Sequence, residues 1–200
     1  MSFVTTTDLK ALLGITDTVD DTRLQLACDA AIQQVQAECN RQFTYDTTTS
    51  ARVFAASTWG VLETDDFGTT SGLGVKTDDD EDGVFETTWT AADYQLEPVN
   101  GRLSGQAWPY NRLRAIESRN WPINRGRALV EITARWGWAS VPNPVKQAGL
   151  IQAATLFKSA EAPLGVAGFG DIGIMRIRQA MHPTAAALLA PYRRDPVLVA

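Results

Sequence analysis

All six tryptophans, at 59, 89, 108, 121, 136 and 138, fall within one stretch of the 200-residue chain. From about Thr47 to Trp138 threonine, glycine, valine and aromatic residues dominate, the types that build strands and turns. The candidate strands are Arg52–Ala56, Gly60–Thr64, Leu73–Thr77, Val84–Trp89, Tyr94–Glu97, Arg112–Glu117 and Ala128–Trp136. The last alternates, with Leu129, Glu131, Thr133 and Arg135 against Val130, Ile132, Ala134 and Trp136, so one face should be buried. Asn100-Gly101 marks a tight turn, and Trp108-Pro109 and Trp121-Pro122 mark extended breaks.

Helical periodicity brackets this stretch. Thr7 suits the N-cap of a short turn over Asp8–Leu13, and Gly14 suits its stop. A longer helix begins near Asp20, where acidic residues favour the dipole. Leu24, Cys28, Ala31, Val35 and Cys39 then form one apolar stripe to about Gln42. Helix returns at Asn143-Pro144 and runs to about Ala160, with Leu150, Ala153, Ala154 and Phe157 on one face. Gly165–Gly173 reads as loop, Ile172–Arg178 as a strand or extended arm, and Thr184–Ala190 as a short last helix.

The expected class is therefore α+β. A small helical bundle (a long helix at about 20–42, another at about 144–160, a short C-terminal one) carries a β-rich insertion. The helical core takes residues 1–46 and 139–191, the insertion 47–138, and a C-terminal tail 192–200.

Composition removes several function classes. The net charge of −5 argues against tight nucleic-acid binding, which needs clustered Lys and Arg to neutralise phosphates. No apolar run approaches the roughly 18 residues of a transmembrane helix. The opening MSFVTTTDLKALLG has no basic n-region or cleavage site, so a soluble, intracellular protein is expected. Cys28 and Cys39 stand eleven apart in one helix, about 16 Å along its axis, too far to bridge each other. The single histidine, His182, precedes Pro183 at a helix start and reads as a capping residue. With two separated cysteines it builds no Cys/His zinc site.

The motif with most chemistry is Asp78-Asp79-Asp80-Glu81-Asp82-Gly83. Asp78, Asp80 and Asp82 take the first, third and fifth places of an EF-hand calcium loop, and Gly83 the sixth. The twelfth place, where a bidentate Glu closes the shell, holds Trp89, and the flanks read as strands. The primary reading is an acidic hairpin loop whose charges are solvated and which holds no metal. The alternative is a calcium-dependent protein-binding module. Neither glycine-rich stretch, 68–74 or 165–173, carries phosphate-loop order, and no catalytic or cofactor motif is present, so no enzyme and no cofactor are expected.

Interface chemistry is better represented. Arginines outnumber lysines fourteen to four, and Arg and Trp are the types that anchor protein interfaces. From Val61 to Glu97 there are eleven acids against Lys76; from Arg102 to Arg135 there are seven arginines against Glu117 and Glu131. These segments can pair within a chain or between copies. Arg112, Arg114, Trp136 and Trp138 are the candidate subunit-interface residues.

The run ARWGWASVPNPVKQAGLIQAATLFKSAEAPLGVAGFGDIG, followed by MHPTAAALLAPYRR, resembles the head-tail connector (adaptor) proteins of long-tailed double-stranded-DNA bacteriophages. WTAADYQLEPVNG, WPYNRLRAI and the opening pair of a short and a long helix are similar to the same group. The resemblance implies a structural virion protein, assembled in the host cytoplasm, forming a homo-oligomeric ring of twelve. That ring docks between the portal protein and the stopper or tail-completion protein and extends the DNA channel. Double-stranded DNA passes through without specific binding, and no membrane is involved. Tyr192, Arg193, Arg194, Val197, Leu198 and Val199 are the candidate portal-binding residues, because an apolar tail with no core to join can fold onto a partner.

Overall fold

The computed structural model describes residues 2–116, 118–160, 166–168, 174–176 and 181–194. Helices and antiparallel sheets both occur, consistent with an α+β protein. The chain divides into two compact units, Ser2–Asn40 with Val141–Arg194, and Arg41–Ser140.

The first unit holds α1 (Thr6–Leu13), α2 (Asp21–Cys39), α3 (Asn143–Ser159) and α4 (Pro183–Leu189). Helix α1 starts earlier than expected: Thr5, not Thr7, is the N-cap, its Oγ1 accepting from the Asp8 amide at 3.1 Å. Gly14 ends it at φ +71, as its position suggests. Helix α2 stops short of Gln42 because Asn40 adopts the left-handed conformation, φ +48, which Asn tolerates better than most residues.

The predicted stripe of α2 is buried throughout: Leu24, Cys28, Ala31, Val35 and Cys39 are all essentially inaccessible. Helix α2 packs on α3, and α3 on α4. Gly149 of α3 lets the N-terminal segment approach closely, since a Cβ there would press on Val4 and Phe3. Gln152 is the polar tie of this unit. Its Nε2 donates to Gln34 Oε1 of α2 at 2.8 Å, and its Oε1 accepts from the His182 amide at 2.9 Å. His182 caps α4, its Nδ1 accepting from the Thr184 amide at 3.2 Å. Backbone strands β10 (Val166–Gly168) and β11 (Ile174–Arg176) pair antiparallel.

The second unit is built from β1 (Ser50–Phe54), β2 (Val61–Phe67), β3 (Gly74–Thr77), β4 (Thr87–Trp89), β5 (Tyr94–Glu97), β6 (Arg102–Leu103), β7 (Gln106–Ala107), β8 (Tyr110–Ala115) and β9 (Val130–Ala134). Strands β1-β9-β3-β4 form one antiparallel sheet and β2-β8-β5 another, while β6 and β7 close a small hairpin. The core contains Leu62, Phe67, Val75, Leu113, Val130, Ile132 and Trp136. Trp89 and Trp121 stack with centroids 4.0 Å apart and planes 5° from parallel. Alternation in β9 is as read, with Val130, Ile132 and Ala134 buried. The expected strand at Val84–Trp89 shrinks to Thr87–Trp89, which leaves Glu86 in the acidic loop.

Candidate functional site

Strand β8 presents its arginines by simple alternation: Leu113 is buried, and Arg112 and Arg114 project from the other side, 44% and 50% exposed. Register then selects their partners. Arg112 lies opposite Glu63 of β2 and Glu97 of β5. Its Nη2 meets Glu63 Oε1 at 2.7 Å and its Nη1 meets Glu97 Oε2 at 3.8 Å, while Arg114 Nε donates to Glu97 Oε1 at 2.6 Å. Glu97 raises the basicity of Arg114 further.

The same pattern continues along the unit. Arg119 pairs with Asp93 at 2.9 Å, Arg127 with Glu81 at 2.6 Å, and Arg52 with Asp65 at 2.6 Å. The acidic segment and the arginine-rich segment thus pair within the chain. Asp93, bound by the Thr90 amide and hydroxyl and by Arg119, titrates below the ordinary carboxylate value.

One centre lay beyond sequence reasoning. Arg41 Nη1 meets Asp66 Oδ1 at 2.6 Å, with the two side chains 7% and 1% exposed. Trp138 Nε1 donates to Asp66 Oδ2 at 2.8 Å, and the Arg41 guanidinium lies over the Trp108 and Trp138 rings. The pair is separated by 25 residues, so no local spacing signals it. Beside it, Arg41, Glu97, Pro98, Val99, Leu103, Trp108, Asn111 and Arg112 line an open cleft of about 360 Å³.

The four interface candidates therefore part company. Arg112 and Arg114 are half exposed, whereas Trp136 and Trp138 are 0% and 2% exposed inside their own unit. Trp136 Nε1 donates to the Ser50 carbonyl at 2.9 Å, and Gly137 between the two adopts φ +93 against Thr44. Trp136 packs with Phe54 and Phe67, and Trp138 packs with Phe43 and Trp108. Neither indole face lies on the protomer surface.

The portal candidates also divide. Tyr192 is 5% exposed and so is not the start of a free tail; its burial raises its pKa. Arg193 pairs with Glu38, and the Arg194 amide donates to the Cys39 carbonyl at 2.9 Å, which fastens this segment to the end of α2. Val197, Leu198 and Val199 lie outside the described residues.

Between β3 and β4 the acidic loop is a hairpin connection, as expected, but its charges are not all solvated. Asp78 is 2% exposed, since its amide donates to the Leu129 carbonyl at 3.0 Å and holds it beside β9. Asp78 Oδ2 accepts from the Gly83 amide at 3.0 Å, and Gly83 takes φ +95 at the sharp turn. Asp78, Asp80, Asp82 and Glu86 each bring a carboxylate oxygen within 4.8 Å of the others. Glu86 is the member that sequence reading passed over.

Cys28 and Cys39 are both buried and not disulfide-bonded, and burial with help from Asp29 and Asp8 pushes Cys28 up to about 11. No helix among the described residues is long and apolar enough to cross a membrane.

Residues 4–57, which span α1, α2 and β1, match the family model of the phage gp6-like head-tail connector proteins. No curated protein matches the sequence. A chain of the "Neck of empty GTA particle computed with C6 symmetry" shares the fold at a TM-score of 0.57 and 18% identity, covering 98% of this chain and 91% of that one. A chain of the "Neck of native GTA particle computed with C12 symmetry" does so at 0.51 and 20% identity, covering 88% and 84%. The family match over residues 4–57 and the fold shared with these neck chains agree with the sequence resemblance to head-tail connector proteins.

Proposed function

We propose that the protein is a structural, non-enzymatic component of a virion neck, assembled from host cytoplasm into a ring of twelve copies. The ring sits between the portal and the stopper or tail-completion protein and lengthens the DNA channel. The observation that carries this reading is the family match at residues 4–57 together with a fold likeness covering 98% of the chain. The C6 and C12 symmetries of those necks support a cyclic assembly. A net charge of −5 supports a lumen that repels phosphates, so that DNA slides without being held.

A ring needs one surface patch to meet a different one on its neighbour. Arg112 and Arg114, half exposed beside Glu63 and Glu97, suit such a patch because each carboxylate partner can be shared across a joint. Residues 192–199 remain the proposed portal contact; of their described members Tyr192 is buried, and Arg193 and Arg194 are the ones that reach the surface.

Size-exclusion chromatography with light scattering and negative-stain microscopy, with and without purified portal, test the reading. Twelve-fold rings on the portal are expected. A chain that stays monomeric and leaves the portal unoccupied overturns it. In the double variant Arg112→Glu and Arg114→Glu, normal assembly with normal salt dependence removes these two residues from the joint.

A further inference from the structure

We propose that Asp78, Asp80, Asp82 and Glu86 hold one calcium ion at the β3–β4 turn. Two independent observations converge on this. The first is geometric: four carboxylates from a nine-residue segment bring oxygens within 4.8 Å of one another. None of the four forms an ion pair with Lys or Arg among the described residues, and the neighbouring Arg127 and Asn124 are engaged by Glu81 instead. The second is the state of Asp78. The residue is 2% exposed and its Oδ1 is buried with no hydrogen-bond partner. A buried anionic oxygen left unpaired beside three more carboxylates is costly, and a bound cation is the partner that removes the cost.

The identity of the ion follows from the ligands. All are hard oxygens with no thiol or imidazole, which excludes the softer transition metals as the preferred guests. Calcium accepts about 6–8 oxygens in flexible geometry, whereas magnesium demands a near-octahedral shell and keeps several waters. The first, third and fifth places of a calcium loop are filled by Asp78, Asp80 and Asp82. Trp89 cannot close the shell at the twelfth place, and Glu86, at the ninth, brings the missing carboxylate. A short hairpin thereby achieves what a helical loop achieves with a later residue. The ion would fix the turn and screen the charge of the segment it caps.

Calcium titration of the chelator-treated full chain by calorimetry tests the proposal. One ion per chain is expected, with a dissociation constant on the order of 10⁻⁵–10⁻³ M and a rise in melting temperature on calcium addition. Asp80→Asn, Asp82→Asn and Glu86→Gln, all at exposed positions whose amide oxygens still accept the loop's hydrogen bonds, should each weaken binding at least about 10-fold. Asp79→Asn, in the same acidic run but outside the cluster, should change it less than about 2-fold. No heat and no melting shift at about 5 mM calcium overturns the proposal. So does equal weakening by Asp79→Asn, which would mean diffuse charge attraction, or an affinity for magnesium equal to that for calcium.

Discussion

The helical unit and the β unit are cohered by different kinds of contact. In the helical unit the apolar stripe of α2 supplies the buried surface, and Gln152 is a neutral hinge point that meets both α2 and the start of α4. In the β unit arginines and carboxylates stitch neighbouring strands, and one further pair, Arg41 with Asp66, is largely buried beside two tryptophan rings. The lesson is about range. Helix faces are written in three- and four-residue steps, so their core follows from local order. The β unit joins Arg112 to Glu63 across 49 residues and Arg127 to Glu81 across 46, so its polar scheme exists only once register is set.

This contrast can be broken where it is sharpest. Gly137→Ala should cost about 5 kcal/mol or more, because φ +93 and the Thr44 carbonyl leave no room for a Cβ. Loss of amide-exchange protection in β9 would register it; unchanged protection would show the strand end to be pliant. Asp66→Ala should cost about 3–5 kcal/mol by leaving a buried guanidinium without its carboxylate. A denaturant midpoint close to the unsubstituted value would deny the enclosed pair its role.

Within the helical unit, Gln152→Ala should cost about 1–3 kcal/mol, since it removes two hydrogen bonds at a buried junction. A larger loss than that of Asp66→Ala would invert the comparison. Cys28 offers a probe of the same core. Its folded pKa, about 11, stands above the ordinary value of 9.0, so its contribution is complete below pH 9 and fades as pH rises through 11. At pH 8 the folded thiolate population is then about 100-fold below that of the unfolded chain, and iodoacetamide should label Cys28 only on unfolding. Prompt labelling in native buffer would mean that α2 opens readily.

The smallest effect belongs to the surface of the β unit. The Thr90 amide, the Thr90 hydroxyl and Arg119 hold Asp93 below its ordinary value. Its contribution is therefore present above the unfolded value of 3.8 and is lost as pH falls through the lower folded one. Carbon-detected titration of the Asp93 carboxyl reads this directly, and a midpoint at or above 3.8 would dismiss the Thr90 clasp.

Legibility followed the same divide in range. Leu24, Cys28, Ala31, Val35 and Cys39 were readable because each repeats one turn of helix after the last, and Val130, Ile132 and Ala134 because strands alternate. Gly14 and His182 were readable as terminators and caps because their chemistry acts within a few residues. The spacing of Trp136 and Trp138 is silent on whether they meet solvent, and packing turned both inward. Glu86 was missed because the loop was measured against a helical template, in which the closing acid stands three positions later.

By itself the amino-acid order determined what depends on near neighbours: which segments coil, which extend, where turns fall, and that charges of opposite sign lie in successive blocks. Only the tertiary structure decided which arginine meets which carboxylate, that the Arg41–Asp66 pair is largely buried, and that Asp78 is buried while most of its acidic run is exposed. The physical reason is that electrostatic partnership and burial are properties of positions in space, and strands distant in sequence acquire those positions only when the sheets have closed.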